Sequence, residues 1–141
     1  MVCVKSLLAA GAALANVSLT HAWIYAISAP ETAAVGSIFT VTITNGLHIQ
    51  NYQNFGIIWG FQRPPYQDRV TGEFELGWTN LVGPGATPMP PSGNFTVELT
   101  IPDGWPTGDV QLMAVTPIRV GALGSTDLVY LSQNMTLTAA T

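Results

Sequence analysis

The chain has 141 residues, of which 48% are hydrophobic and only 9% charged, and its formal net charge is −4 at pH 7. This length favours a single domain. An acidic chain with four basic residues lacks the clustered positive charge that binds nucleic acid or an anionic membrane surface, so we expect no nucleic-acid partner and no membrane insertion.

Residues 1–22 have the pattern of a secretory signal peptide. Lys5 provides a short positive start, the apolar run 7–15 follows, and Thr20-His21-Ala22 forms a small-residue cleavage site. The apolar run is too short to span a bilayer. We therefore predict that residues 23–141 form one secreted, extracellular domain, which contains no cysteine because Cys3 is lost with the signal.

The rest of the chain shows the period-two alternation of half-buried β-strands. Phe39, Val41 and Ile43 alternate with threonines, and the same alternation recurs over 94–101 and 129–138. Residues 55–61 are apolar nearly throughout, which is typical of a strand covered on both faces. Pro- and Gly-rich turn signals separate these runs, and they predict seven strands, at about 23–29, 37–45, 53–61, 72–81, 93–101, 108–118 and 127–138. This pattern predicts an all-β fold, an immunoglobulin-like antiparallel β-sandwich.

Two sequons lie in the predicted domain and fit a secreted glycoprotein. They are Asn94-Phe95-Thr96 and Asn134-Met135-Thr136. On each strand the apolar neighbours of the asparagine are expected to point into the core. We therefore expect Asn94 and Asn134 to point outward and to be glycosylated.

Four groups of segments resemble, in order and spacing, the NIS1 family of small secreted fungal effectors, the necrosis-inducing secreted proteins. The segments are 24–30 (IYAISAP) with 36–39, 48–51 (HIQN) with 55–60, 76–78 (LGW) with 81–84, and 94–97 (NFTV) with 101–102 and 108–112. The likeness covers nearly the whole predicted domain. It departs at His48, where the family has an aromatic residue before Ile-Gln.

The resemblance implies a protein that is not an enzyme and needs no cofactor. It implies a virulence role in which the protein binds host proteins, the plant immune receptor-associated kinases, and suppresses defence signalling. The resemblance thus adds the host cell to the extracellular space as an expected location of the protein. In agreement with this, the sequence offers no patterned Ser-His-Asp set and no cysteine for a structural zinc site, so we assign no catalytic residue.

Two alternatives remain open from the residues themselves. The first is a module that binds cell-wall polysaccharide through flat aromatic side chains. The second depends on cleavage after Thr20, which would make His21 the mature N-terminus. Its amine and ring nitrogen, with the imidazole of His48, would then form a tetragonal copper site. We otherwise expect no metal site.

Four side chains in or beside predicted turns are candidates for contacting a partner. Binding energy at interfaces is concentrated in a few aromatic and arginine anchors, and exposed aromatic side chains suit that role. The candidates are Tyr52, Trp78, Trp105 and Arg119.

Overall fold

The computed structural model describes residues 22–48 and 51–141, and within these ranges it contains nine strands and no helix. The strands are β1 (Ala22–Ser28), β2 (Thr32–Ala34), β3 (Ile38–Leu47), β4 (Tyr52–Asn54), β5 (Gly56–Gln62), β6 (Phe74–Asn80), β7 (Gly93–Thr100), β8 (Gly108–Val120) and β9 (Ser125–Thr138). The described part of the chain therefore has no helix of the length and apolarity needed to cross a membrane. The all-β prediction is confirmed.

The strands form two sheets in a sandwich-like arrangement. One sheet has the order β1-β3-β7, and the other has the order β2-β9-β8-β5-β6, with β4 paired to β8 beside this path. All pairs are antiparallel except β2 with β9. The predicted sandwich architecture is thus confirmed.

The central strand β3 shows how the sequence pattern builds the core. Its alternate residues Phe39, Val41 and Ile43 are buried, while the threonines between them face outward. Across the sheet Val41 pairs with Val97, and its neighbours pair with Leu99 and Phe95 of β7. Each buried side chain of this size stabilises the fold by roughly 1.5–3 kcal/mol, so the apolar face of this sheet fixes its register.

The strand predicted at 53–61 is divided into β4 and β5. Asn54 pairs with Ile118 and Ile58 pairs with Val115. The segment from Asn54 to Ile58 therefore contains one residue more than the part of β8 that it faces, as in a β-bulge. The division falls opposite Pro117, which has no N–H to donate to the ladder and whose carbonyl accepts a hydrogen bond from the Phe55 N–H at 3.1 Å. Turn signals alone did not predict this break or the short strand β2.

A side-chain amide joins the end of β1 to the other sheet. Gln133 of β9 accepts a hydrogen bond from the Ala29 N–H at 2.8 Å and donates one to the Ala29 carbonyl at 2.7 Å. The amide therefore satisfies both backbone groups of Ala29, as a neighbouring strand would.

Candidate functional site

A concave pocket lies at one end of the sandwich, where four separate segments meet. Its volume is about 520 Å³, within the range of small-molecule and side-chain binding sites. We call it the end pocket. It is lined by the first residue of β1, by β4 with the residue before it, by the β8–β9 turn and by the segment after β6, namely Ala22, Asn51–Asn54, Leu81, Val82, Ala86–Met89, Arg119, Gly121 and Ala122.

The end pocket combines apolar walls with a buried amide. Leu81, Pro88 and Met89 contribute the apolar walls. Asn54 is only 2% exposed, and its Nδ2 donates to the Ala22 carbonyl. Its Oδ1 is buried and has no hydrogen-bond partner among the described residues. An unsatisfied buried acceptor costs about 1–3 kcal/mol, so Asn54 is a locally destabilising feature of the pocket wall.

Tyr52 lines the end pocket from an aromatic cluster that fixes its ring. The ring centroid of Tyr52 lies 4.4 Å from that of His48 in an edge contact and 5.9 Å from that of Trp23 in a stacked contact. Trp23 and His48 in turn make an edge contact at 5.3 Å. These are favourable aromatic geometries, so Tyr52 presents a preorganised surface to the pocket.

Arg119 brings a cation to the same pocket. It is exposed, and its side chain lies over the β8–β9 turn, where a methyl group on Gly124 would be 2.5 Å from Arg119 Nε. The absence of a side chain at Gly124 thus makes room for the guanidinium group. Two of the four predicted anchors, Tyr52 and Arg119, are brought together here although they are distant in sequence.

Trp78 lies elsewhere, on the outer face of the larger sheet. Its side chain is 49% exposed. It is the first of a row of directly paired residues that crosses four strands, namely Trp78, Ile58, Val115 and Tyr130. Directly paired residues share one face of a sheet. We call these four side chains the outer apolar row.

Trp105 packs against the core. Its ring makes an edge contact with Phe61, with centroids 5.3 Å apart, and it is one of the partly buried side chains that cover the core cluster. Its surroundings are those of a packing residue, so we do not assign it as an anchor for a partner.

The remaining predicted site residues are distributed over the fold. Asn94 and Asn134 are both exposed, on β7 and β9. His21 and the cleavage site lie outside the described residues. His48 is held in the aromatic cluster, and within 22–48 and 51–141 no group of three or more His, Cys, Asp or Glu side chains is placed to hold a metal ion.

Sequence reasoning missed Asn54 and three members of the outer apolar row. Asn54 gave no signal, because its role depends on contact with Ala22, which lies far away along the chain. The row did give a signal. The uninterrupted apolar runs 55–61 and 112–115 place apolar side chains on both faces of β5 and β8.

Comparisons with known proteins give a family and a set of similar folds. The Nis1 family model matches residues 20–136, whereas no curated protein matches the chain. A superoxide reductase (neelaredoxin) from Ignicoccus hospitalis has 15% identity, coverage of 89% of each chain and a TM-score of 0.45. A variant of that enzyme has 15% identity, coverage of 83% of this chain and 82% of its own, and a TM-score of 0.44.

The prediction that this protein is not an enzyme is corrected by these matches. The two solved structures named above are superoxide reductases, and the prediction is withdrawn. It rested on the resemblance to the NIS1 family together with the lack of a Ser-His-Asp set. At this identity and these TM-scores, however, the likeness assigns no activity and no metal site to the chain.

Proposed function

Because this chain belongs to the Nis1 family, as its motifs predicted, we propose that it is a secreted effector that binds plant immune receptor-associated kinases and dampens defence signalling. The family match over residues 20–136 is the observation that carries the proposal, and it supports an effector-like fungal protein. The kinase partner comes from the resemblance of the motifs.

The end pocket is the surface that we propose for the kinase. Strong anchors at interfaces fill well-formed pockets and are surrounded by contacts that exclude water. The end pocket has apolar walls at Leu81 and Met89. It would receive an apolar side chain of the kinase.

Arg119 makes the end pocket favour a partner segment with a negative charge. The chain has eight acidic residues against four basic ones, so an exposed guanidinium at the pocket rim is an uncommon feature of its surface. Arginine binds carboxylate and phosphate groups through paired hydrogen bonds. We therefore propose that the bound kinase segment carries an anionic group next to the inserted side chain.

A binding panel tests this proposal. The secreted protein is immobilised and presented with purified cytoplasmic domains of plant receptor-associated kinases, and with chitin and β-glucan in parallel. Saturable kinase binding is the expected result. Saturable polysaccharide binding without kinase binding would instead identify a cell-wall module and overturn the proposal.

A further inference from the structure

The outer apolar row is the centre of a larger apolar surface. Leu128 and Met113 lie two residues from Tyr130 and Val115 on β9 and β8, and residues two apart on a strand share a face. Met113 and Val115 are only 3% and 2% exposed, yet neither belongs to the core cluster between the sheets. Their neighbours on the outer face therefore cover them. The exposed apolar area of this face is thus that of Trp78 and Leu128, at 49% and 45%, with Ile58 and Tyr130 half-buried. We call these six side chains the outer apolar surface. Exposed apolar side chains grouped on one face mark a site that something else covers.

Asn134 stands on the same face of the same sheet. It pairs with Gln111, two residues beyond Met113 on β8, and it is exposed. It lies four residues from Tyr130 along β9, which is about 13 Å at the usual rise per residue. The core of an N-linked glycan is several sugar rings long and can span that distance.

The hydrogen bonding at Asn134 suits an attached sugar. Gln111 Nε2 donates to Asn134 Oδ1 at 3.1 Å, which is the side-chain oxygen that remains after glycosylation, and Nδ2 is left for the sugar. During N-glycosylation, Asn134 Nδ2 loses one proton and bonds to the anomeric carbon of a lipid-pyrophosphate-linked oligosaccharide, and the lipid pyrophosphate leaves. After folding, the contact with Gln111 holds the amide plane and so directs the glycan.

We propose that the N-linked glycan on Asn134 lies over the outer apolar surface and shields it from water. The apolar faces of sugar rings pack on aromatic side chains, and Tyr130 is the first aromatic residue within the glycan's reach. This inference goes beyond the proposed function, because the surface is separate from the end pocket and needs no kinase.

Glycosylation variants test the proposal. The protein is secreted from a glycosylating fungal host as wild type, N134Q and N94Q. Asn94 is the matched control, since it is an exposed sequon residue on the other sheet. Mass spectrometry should find Asn134 occupied. N134Q should then bind an apolar fluorescent dye several-fold more strongly than wild type and N94Q, and should self-associate at concentrations where both are monomeric.

Two further measurements separate shielding from misfolding. Enzymatic trimming of the folded wild-type glycoprotein to one sugar per site should raise dye binding as N134Q does, without any change made before folding. Tyr130→Ser in the N134Q background should lower dye binding again. An unoccupied Asn134, equal dye binding by N134Q and N94Q, a wild-type dimer that buries this surface, or β-glucan binding lost on Trp78→Ala would each overturn the proposal.

Discussion

The indole of Trp78 lies across Gly56, so that a methyl group on Gly56 would be 2.0 Å from Trp78 Cζ2 and 2.6 Å from the Thr79 carbonyl oxygen. The ring therefore rests on the backbone of the neighbouring strand, and about half of it stays exposed. The position needs glycine because of the close approach of the ring and the backbone, not because of an unusual φ angle.

Gly56→Ala should lower the free energy of unfolding by about 1–3 kcal/mol, as overpacking does. The indole can swing away, but the Thr79 carbonyl belongs to the backbone and cannot. Urea unfolding followed by tryptophan fluorescence measures the loss. Gly46→Ala is the matched control, because its methyl group would meet only the ring of exposed Tyr25, with Cε1 at 3.1 Å. A loss as large in the control would contradict this expectation.

Gln133→Ala should destabilise the fold by about 1–3 kcal/mol, because it leaves both backbone groups of Ala29 without their partner. Gln111→Ala removes an amide whose hydrogen bond is to exposed Asn134, so it should change stability by about 0.5 kcal/mol or less. Both variants are compared with wild type as unglycosylated proteins by chemical denaturation. Equal losses of stability in the two variants would show that the two hydrogen bonds between Gln133 and Ala29 contribute nothing specific.

The residue at the predicted cleavage site also contributes to the fold. Ala22 is the first residue of β1, it is buried, and its carbonyl accepts the hydrogen bond of buried Asn54. Cleavage after Ala22, which the small-residue pattern predicts, removes that acceptor. We therefore expect the chain 23–141 to be less stable by about 1–3 kcal/mol than the chain 22–141. Urea unfolding of the two chains makes the comparison, and equal free energies of unfolding would refute this expectation.

Trp105→Ala and Trp78→Ala should differ clearly in their effect on stability. Trp105 covers the core beside Phe61, so its truncation should cost about 2–4 kcal/mol. Trp78 is half exposed on the outer face, and its truncation should cost less than about 1 kcal/mol. Thermal unfolding of the two variants makes the comparison, and a milder effect for Trp105→Ala would show that its ring is not part of the packing.

The sequence predicted the parts of the fold that depend on local pattern. Alternation at Phe39, Val41 and Ile43 was sufficient for β3, because one face of that strand is buried and the other is solvated. The end pocket was not predictable, because the pairing of β4 with β8 decides that Tyr52 and Arg119 line one pocket. Gln133 was missed for the same reason, since its partner Ala29 is 104 residues away along the chain. The break at Phe55 came from Pro117 on another strand.

The affinity of the Arg119→Ala variant for a plant receptor-associated kinase domain tests the central claim most directly. Arg69→Ala is the matched control, since it removes the same charge from an exposed loop residue that does not line the end pocket. Isothermal titration should show that Arg119→Ala weakens binding by about 2 kcal/mol with unchanged stability, while Arg69→Ala binds as wild type does. Equal affinities for the two variants, or no kinase binding by the wild-type protein, would contradict the claim that the end pocket binds a kinase.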